Sequence, residues 1–256
     1  MPSALRAFAE GSIFGVRSGS GEPTVVLLHG WGRTHRDLLG VAELPGANAL
    51  NALLLDLPGF GSSPPPDLAM AAHGYAELLV PVLRELEDPV IVVGHSFGGR
   101  VAVALAATHP ELVKGLVLCG VPLLAREKTA SRSVPLRYRV IRSLANRGLI
   151  AEHRLEAARQ RFGSPDYRAA TGVMREVLVK VVSEDYRDAL LSMQAPLMMV
   201  WGEDDHDVPL AMAKEVCEIL PSASLDVVVG SGHDVVIEAP ERVRQAIDSL
   251  LSRTRS

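Results

Sequence analysis

The sequence lacks the features that mark several functional classes. It has two cysteines in 256 residues. Cys119 stands in an apolar run and Cys217 in a helical pattern, with no Cys-x-x-Cys spacing. Neither a disulfide framework nor a thiolate metal site is supported, and a reducing, cytoplasmic location is expected. The opening MPSALRAFAE has neither the apolar stretch nor the small-residue cleavage pattern of a secretory leader. No segment reaches roughly 18 uninterrupted apolar residues, so no membrane-spanning helix suggests itself. Positive charge is not in excess: 26 Lys and Arg face 30 Asp and Glu, for a net charge of -4. A global basic field that would draw nucleic acid or an anionic membrane is therefore missing, and neither is expected as a partner. There is no internal repeat, and low complexity is confined to Pro64-Pro65-Pro66. No paired-histidine spacing on a helix points to a metal. The sequence does not fix an oligomeric state.

What is present is enough apolar residue, 48% of the chain, for one α/β core. Short β-branched or Leu-rich runs bounded by turn residues recur at 24–29, 52–56, 89–94, 115–120, 197–202 and 225–230. Runs that are apolar at consecutive positions predict strands covered on both faces. A weaker strand is expected at 12–16, as an antiparallel start. Helical patterns alternate with these runs, for example 101–107 and the set Val243, Ile247, Leu250 and Leu251. Alternation of this kind predicts a mostly parallel sheet with crossover helices. Between Leu123 and Ser192 it breaks, and helix-like stretches such as 135–145 and 172–182 replace the strands. That segment carries 14 Lys and Arg against 8 Asp and Glu, a surplus of six, which leaves the rest of the chain near -10.

The chemistry is carried by a few short motifs. Gly94-His95-Ser96-Phe97-Gly98 fits Gly-x-Ser-x-Gly and lies after the expected strand and before the helix that starts near Gly99. A strand-to-helix turn tight enough to present the serine has no room for side chains two residues to either side, which accounts for Gly94 and Gly98. A free serine hydroxyl is a poor nucleophile, so a base must accept its proton and a third group must hold the base in one tautomer. Gly232-His233-Asp234 follows the last strand-like run and precedes the final helix, which makes His233 the candidate base. The turn Gly202-Glu203-Asp204-Asp205-His206-Asp207-Val208-Pro209 offers three aspartates as the acid. Asp205 is preferred from its place three residues past Gly202, while Asp204 and Asp207 fit solvated or turn-bonding roles. Two N–H donors for an oxyanion are expected from the backbones of Trp31, in His29-Gly30-Trp31-Gly32, and of Phe97.

These motifs, together with Asp56-Leu-Pro-Gly-Phe-Gly-Ser-Ser63, resemble the α/β-hydrolase superfamily over nearly the whole chain outside the insertion. The resemblance implies an eight-stranded, mostly parallel sheet with flanking helices. It also implies a helical cap inserted after the sixth strand, with a core at 1–122 and 193–256 and the cap at 123–192. The branch it looks like includes carboxylesterases, carbon–carbon bond hydrolases and MenH-like enzymes, so the implied activity is cofactor-free hydrolysis of a small acyl or keto-acid substrate. Some hormone receptors of the superfamily retain the triad and bind a ligand instead. Serine at position 96 departs from the aspartate of haloalkane dehalogenases and epoxide hydrolases. No substrate-defining motif is recognisable in the cap. Arg168 and Arg175, beside Tyr167 and Met174, are its candidate substrate-binding residues.

Overall fold

The computed structural model describes residues 4–125 and 164–253, with 143–145, 147, 151 and 154 between them. Eight strands form one sheet in the order β1-β2-β4-β3-β5-β6-β7-β8. They are β1 (Leu5–Phe8), β2 (Ile13–Ser18), β3 (Val25–Leu28), β4 (Ala52–Asp56), β5 (Val90–His95), β6 (Val113–Cys119), β7 (Leu197–Gly202) and β8 (Ser224–Val228). β1 pairs antiparallel with β2, and β2 antiparallel with β4. The remaining pairings are parallel. This is the sheet that the motif resemblance implied.

The expected runs fall on β2 to β8, within two residues at most boundaries. The structure adds β1, which sequence reading missed. Its residues are mostly exposed, so the apolar signal of a covered strand is absent. It is held by pairing at the sheet edge, with Leu5 opposite Val16 and Phe8 opposite Ile13.

Consecutive apolar positions are explained by two layers of helix. Val26, Leu28, Val92, Leu116 and Leu118 face one core cluster with helices α2 (Ala72–Arg84) and α3 (Phe97–Thr108). Their neighbours Val25, Leu27, Val93, Val117 and Cys119 face a second cluster. Val41 from α1 (Leu39–Ala42) and Val243, Ile247 and Leu250 from the final helix complete that second layer. Burying each such side chain contributes about 1.5–3 kcal/mol, so a charge at Val93 or Val117 would break the sheet from within.

Between β6 and β7, the regular elements of the described residues are helices, among them α4 (Pro165–Ala169), α5 (Gly172–Val181) and α6 (Arg187–Ser192). The expected helix at 172–182 corresponds to α5, while that at 135–145 lies outside the described residues except for 143–145, which are helical. The C-terminal end of α5 is fastened to the core. Buried Arg100 of α3 donates to the Val181 carbonyl, and its guanidinium lies 5.8 Å from the Tyr186 ring centre. Glu184 accepts from the Tyr186 hydroxyl at 2.7 Å and from the Ala72 amide at 3.2 Å. Lys180 donates to the Ala69 carbonyl at 2.7 Å. After β7 come α7 (Leu210–Ile219), α8 (Val235–Glu238) and α9 (Pro240–Arg253). No helix of the described residues is long and apolar enough to cross a membrane.

Candidate active site

Ser96 sits at the junction of β5 and α3 with φ 48° and ψ -110°. Such a backbone is costly for a residue with a Cβ, and it persists only where its surroundings enforce it. The surroundings are visible. A Cβ on Gly94 would strike the Gly99 backbone, and one on Gly98 would strike the Leu28 and His29 carbonyls. The Ser96 amide donates to the Cys119 carbonyl at the end of β6, 2.9 Å away. The elbow is thus pressed between β3 and β6, and its serine remains partly exposed.

The next residue after Cys119 is Gly120, at φ +57°, and it leads to the histidine. A Cβ placed there would lie 2.9 Å from Nδ1 of His233 and 3.2 Å from Oδ2 of Asp205. His233 and Asp205 are joined directly, with Nδ1 and Oδ2 2.9 Å apart. Asp205 is buried, and its other oxygen accepts the amides of Asp207 at 3.0 Å and Val208 at 2.8 Å. Asp204 and Asp207 are exposed. Of the three aspartates in the turn, Asp205 is therefore the one bonded to the imidazole.

The loops that carry this pair are stitched together. The amides of Glu203 and Asp204 each donate at 2.9 Å, to the carbonyls of Val228 and Ser231. Buried Trp201 at the end of β7 donates its indole N–H to the Val208 carbonyl at 2.9 Å. On the other loop, Glu238 accepts from the Ser231 hydroxyl and the Gly232 amide, both at 2.6 Å. His95 lies behind His233, its Nε2 3.0 Å from the His233 carbonyl. Burial, and then the charge of His233, bring its pKa down to about 4, so near neutral pH it is an uncharged donor. Burial also pulls His233 down, but the hydrogen bond and charge of Asp205, with Asp207 and Asp234, outweigh it. Its pKa is raised above the ordinary 6.5.

Gly30 lies against the elbow, where a Cβ would be 2.9 Å from His95 Nδ1 and 3.5 Å from the Ser96 Cβ. The next residue is Trp31, and the Gly98 amide beside Phe97 donates to the His29 carbonyl at 3.0 Å. Neither the Trp31 nor the Phe97 amide donates to an acceptor among the described residues. The side chains form an aromatic wall: the Trp31 ring is 4.9 Å from Phe60 and 5.4 Å from Phe97, edge to face.

Contacts from the helical segment reach the same region. Met174 of α5 covers Gly59 and its sulfur is 3.8 Å from the Tyr75 hydroxyl. Asp166 of α4 has its pKa raised by partial desolvation and then by Asp207, with Arg33 and His233 opposing. Arg175 is committed within the segment: its Nε donates to the Ala170 carbonyl at 2.9 Å and its guanidinium lies 5.4 Å from the Tyr167 ring centre. Arg168 is exposed on α4. Sequence reading missed Gly120, Asp166, Arg33 and Glu238. Arg33 pairs with Asp37 at 3.2 Å and with Asp234. Only Glu238 and Arg33 stood within a few residues of a motif, and nothing local announced their partners. Among the described residues, no group of three or more His, Cys, Asp or Glu side chains could hold a metal ion.

Solved structures with this architecture include a thermophilic esterase from Thermogutta terrifontis, 21% identical, with TM-score 0.69 and full coverage of both chains. A serine hydrolase involved in carbazole degradation is 22% identical with TM-score 0.69, covering 98% of this chain and 99% of its own. A meta-cleavage product hydrolase from Pseudomonas fluorescens is 18% identical with TM-score 0.66, covering 98% of each chain. At these identities the likeness concerns the fold. A model of the alpha/beta hydrolase family matches residues 25–246, which span the elbow at Ser96, the Asp205 turn and the His233 loop, and the chain belongs to that family.

Proposed function

We propose that the protein is a serine hydrolase that cleaves a carboxylic ester or a related small acyl substrate through an acyl-enzyme on Ser96. One observation supports the reading: the strained Ser96 lies against Cys119 and the His233–Asp205 pair against the adjacent Gly120, so both border the same two-residue step. With Nδ1 bound to Asp205, the imidazole has Nε2 left for the serine proton. Ser96 Oγ attacks the acyl carbon as His233 takes that proton. The leaving alcohol receives it when the tetrahedral intermediate collapses. Water then attacks the acyl-enzyme with His233 again as base, releasing the acid and restoring the serine. The amides of Trp31 and Phe97 receive the oxyanion, each donor contributing about 3 kcal/mol to lowering the barrier. Phe97 opens α3, where the helix dipole adds to its amide. Asp205 holds the tautomer and favours the imidazolium. Residues 123–192 are proposed as the lid that selects the substrate.

A fluorophosphonate probe followed by a substrate panel tests the reading. Wild type should be labelled on Ser96 and turn over short-chain p-nitrophenyl esters repeatedly, while Ser96→Ala should fold, escape labelling and lose turnover by at least about a thousandfold. Full labelling of Ser96→Ala would overturn it. Turnover of keto acids but not esters would replace it with carbon–carbon hydrolysis or MenH-like elimination. A single bound equivalent with no further turnover would indicate a receptor.

A further inference from the structure

The motif Asp56-Leu-Pro-Gly-Phe-Gly-Ser-Ser63 is not used by the proposed chemistry, and neither is the side chain of His29. The structure joins them. His29 is fully buried at the end of β3. Its Nε2 lies 2.9 Å from the Leu57 amide. A backbone N–H can only donate, so Nε2 must be the unprotonated nitrogen and Nδ1 must carry the hydrogen. Nδ1 lies 2.7 Å from the Gly30 carbonyl, which as a pure acceptor completes the same assignment. Burial lowers the pKa of His29, outweighing the Gly30 hydrogen bond and the charges of Asp56 and Asp37, and so favours this neutral form.

The consequence falls on the next peptide. The Gly30 carbonyl is held from the His29 side and also accepts the Arg33 amide at 3.2 Å. No peptide bond in the described chain is cis, so the Trp31 N–H points opposite to that carbonyl. Fixing the carbonyl therefore fixes the direction of the amide. The loop from which Leu57 donates is itself held. Asp56, buried, accepts the His35 amide at 2.8 Å, His35 Nδ1 at 2.9 Å and the Ser62 amide at 2.9 Å. Phe60 of the same loop packs edge-on against His29 at 5.5 Å between ring centres.

We infer that His29 is a positioning residue: locked as its Nδ1–H tautomer by the Leu57 amide, it holds the Gly30–Trp31 peptide with the Trp31 N–H turned toward the oxyanion. The inference rests on the proposed role of the Trp31 amide. It also gives the Asp56–Ser63 motif its task, which is to supply and anchor the donor that selects the tautomer.

Two near-isosteric variants separate the halves of the brace. In His29→Asn the amide nitrogen takes the place of Nδ1, keeping the donor to Gly30 and losing the acceptor for Leu57. His29→Gln does the reverse. The rate of labelling by a fluorophosphonate, whose phosphonyl oxygen occupies the oxyanion position, should fall by about tenfold or more in His29→Gln and clearly less in His29→Asn. With p-nitrophenyl butyrate the loss should appear in kcat and leave KM nearly unchanged. Equal or reversed losses in folded protein would overturn the inference, because a merely structural histidine gives no reason for that order. The ¹⁵N signals of the wild-type imidazole give a second reading that needs no variant. They should show Nδ1–H in the neutral ring, with any titration of His29 displaced below that of an ordinary imidazole. An Nε2–H tautomer in the neutral ring would overturn it. Labelling of Ser96→Ala would instead remove the serine-hydrolase reading and leave the tautomer result standing.

Discussion

Gly120 packs against His233 so closely that a Cβ on it would lie 2.9 Å from the imidazole Nδ1, beside the Asp205 carboxylate at 3.2 Å. A methyl group here must displace one partner of the 2.9 Å His233–Asp205 bond. Gly120→Ala also places a side chain at φ +57°, a conformation that costs alanine about 1 kcal/mol. Turnover should fall on the order of a hundredfold, as a catalytic group displaced by about 1 Å produces. The melting temperature should drop by only about 2–4 °C per kcal/mol lost. Parent-like kinetics in Gly120→Ala would show that the pair tolerates a displacement its geometry does not suggest.

The pH profile follows from the raised pKa of His233. A base must be neutral to accept the serine proton, so activity should decline on the acid side with a midpoint above 6.5, higher than that of an ordinary imidazole. Asp207 and Asp234 both help to raise it. Asp207→Asn and Asp234→Asn should each move the midpoint to lower pH. A midpoint that stays put in both variants, read from kcat/KM between about pH 4 and 9, would mean another group controls that limb.

The three aspartates of the turn should separate sharply on amidation. Asp205→Asn removes the acceptor of the imidazole N–H and should cost about a thousandfold or more in kcat. Asp204→Asn and Asp207→Asn alter exposed side chains and should keep maximal turnover within about tenfold. If Asp207→Asn proved the crippling change under steady-state assay, the acid would have been misassigned by two positions.

The positive surplus of the helical segment gives a fourth expectation. Arg175 is engaged with Ala170 and Tyr167, whereas Arg168 is exposed on α4. α4 also carries Asp166, whose titration responds to His233. We therefore expect an ester bearing a carboxylate to exceed its neutral isostere in kcat/KM, with an advantage that shrinks as salt rises. Arg168→Met should erase that preference and spare neutral esters, and Arg175→Met should disturb it less. Matched rates for the two esters at low salt would leave these charges a solvated surface.

The sheet was legible where strands are covered on both faces, because Val25 to Leu28 or Val90 to Val93 have no solvent-facing position to interrupt the apolar run. β1 was not, since a mostly exposed edge strand is specified by its partner rather than by its own residues. The elbow at Ser96 and the general positions of His233 and Asp205 could be found because each occupies a short motif at a strand end. The environment of His233 could not. Gly120, Asp166 and Arg33 approach the site from separate stretches of chain, and no local pattern records such encounters. Arg175 shows the complementary case: a charge that looked available for a ligand is bound to a carbonyl five residues away.

The spread of the site along the sheet also sets when the protein can first act. During synthesis Ser96 leaves the ribosome about 7 to 27 seconds before His233, at about 5–20 residues per second. The elbow has β6 behind it, and the histidine loop is held by Glu238 near the end of the chain. On the proposed reading, the partial chain then holds a nucleophile and no base. Recovery of probe labelling during refolding would time the docking of the C-terminal segment, and activity would report arrival of the last piece rather than collapse of the first.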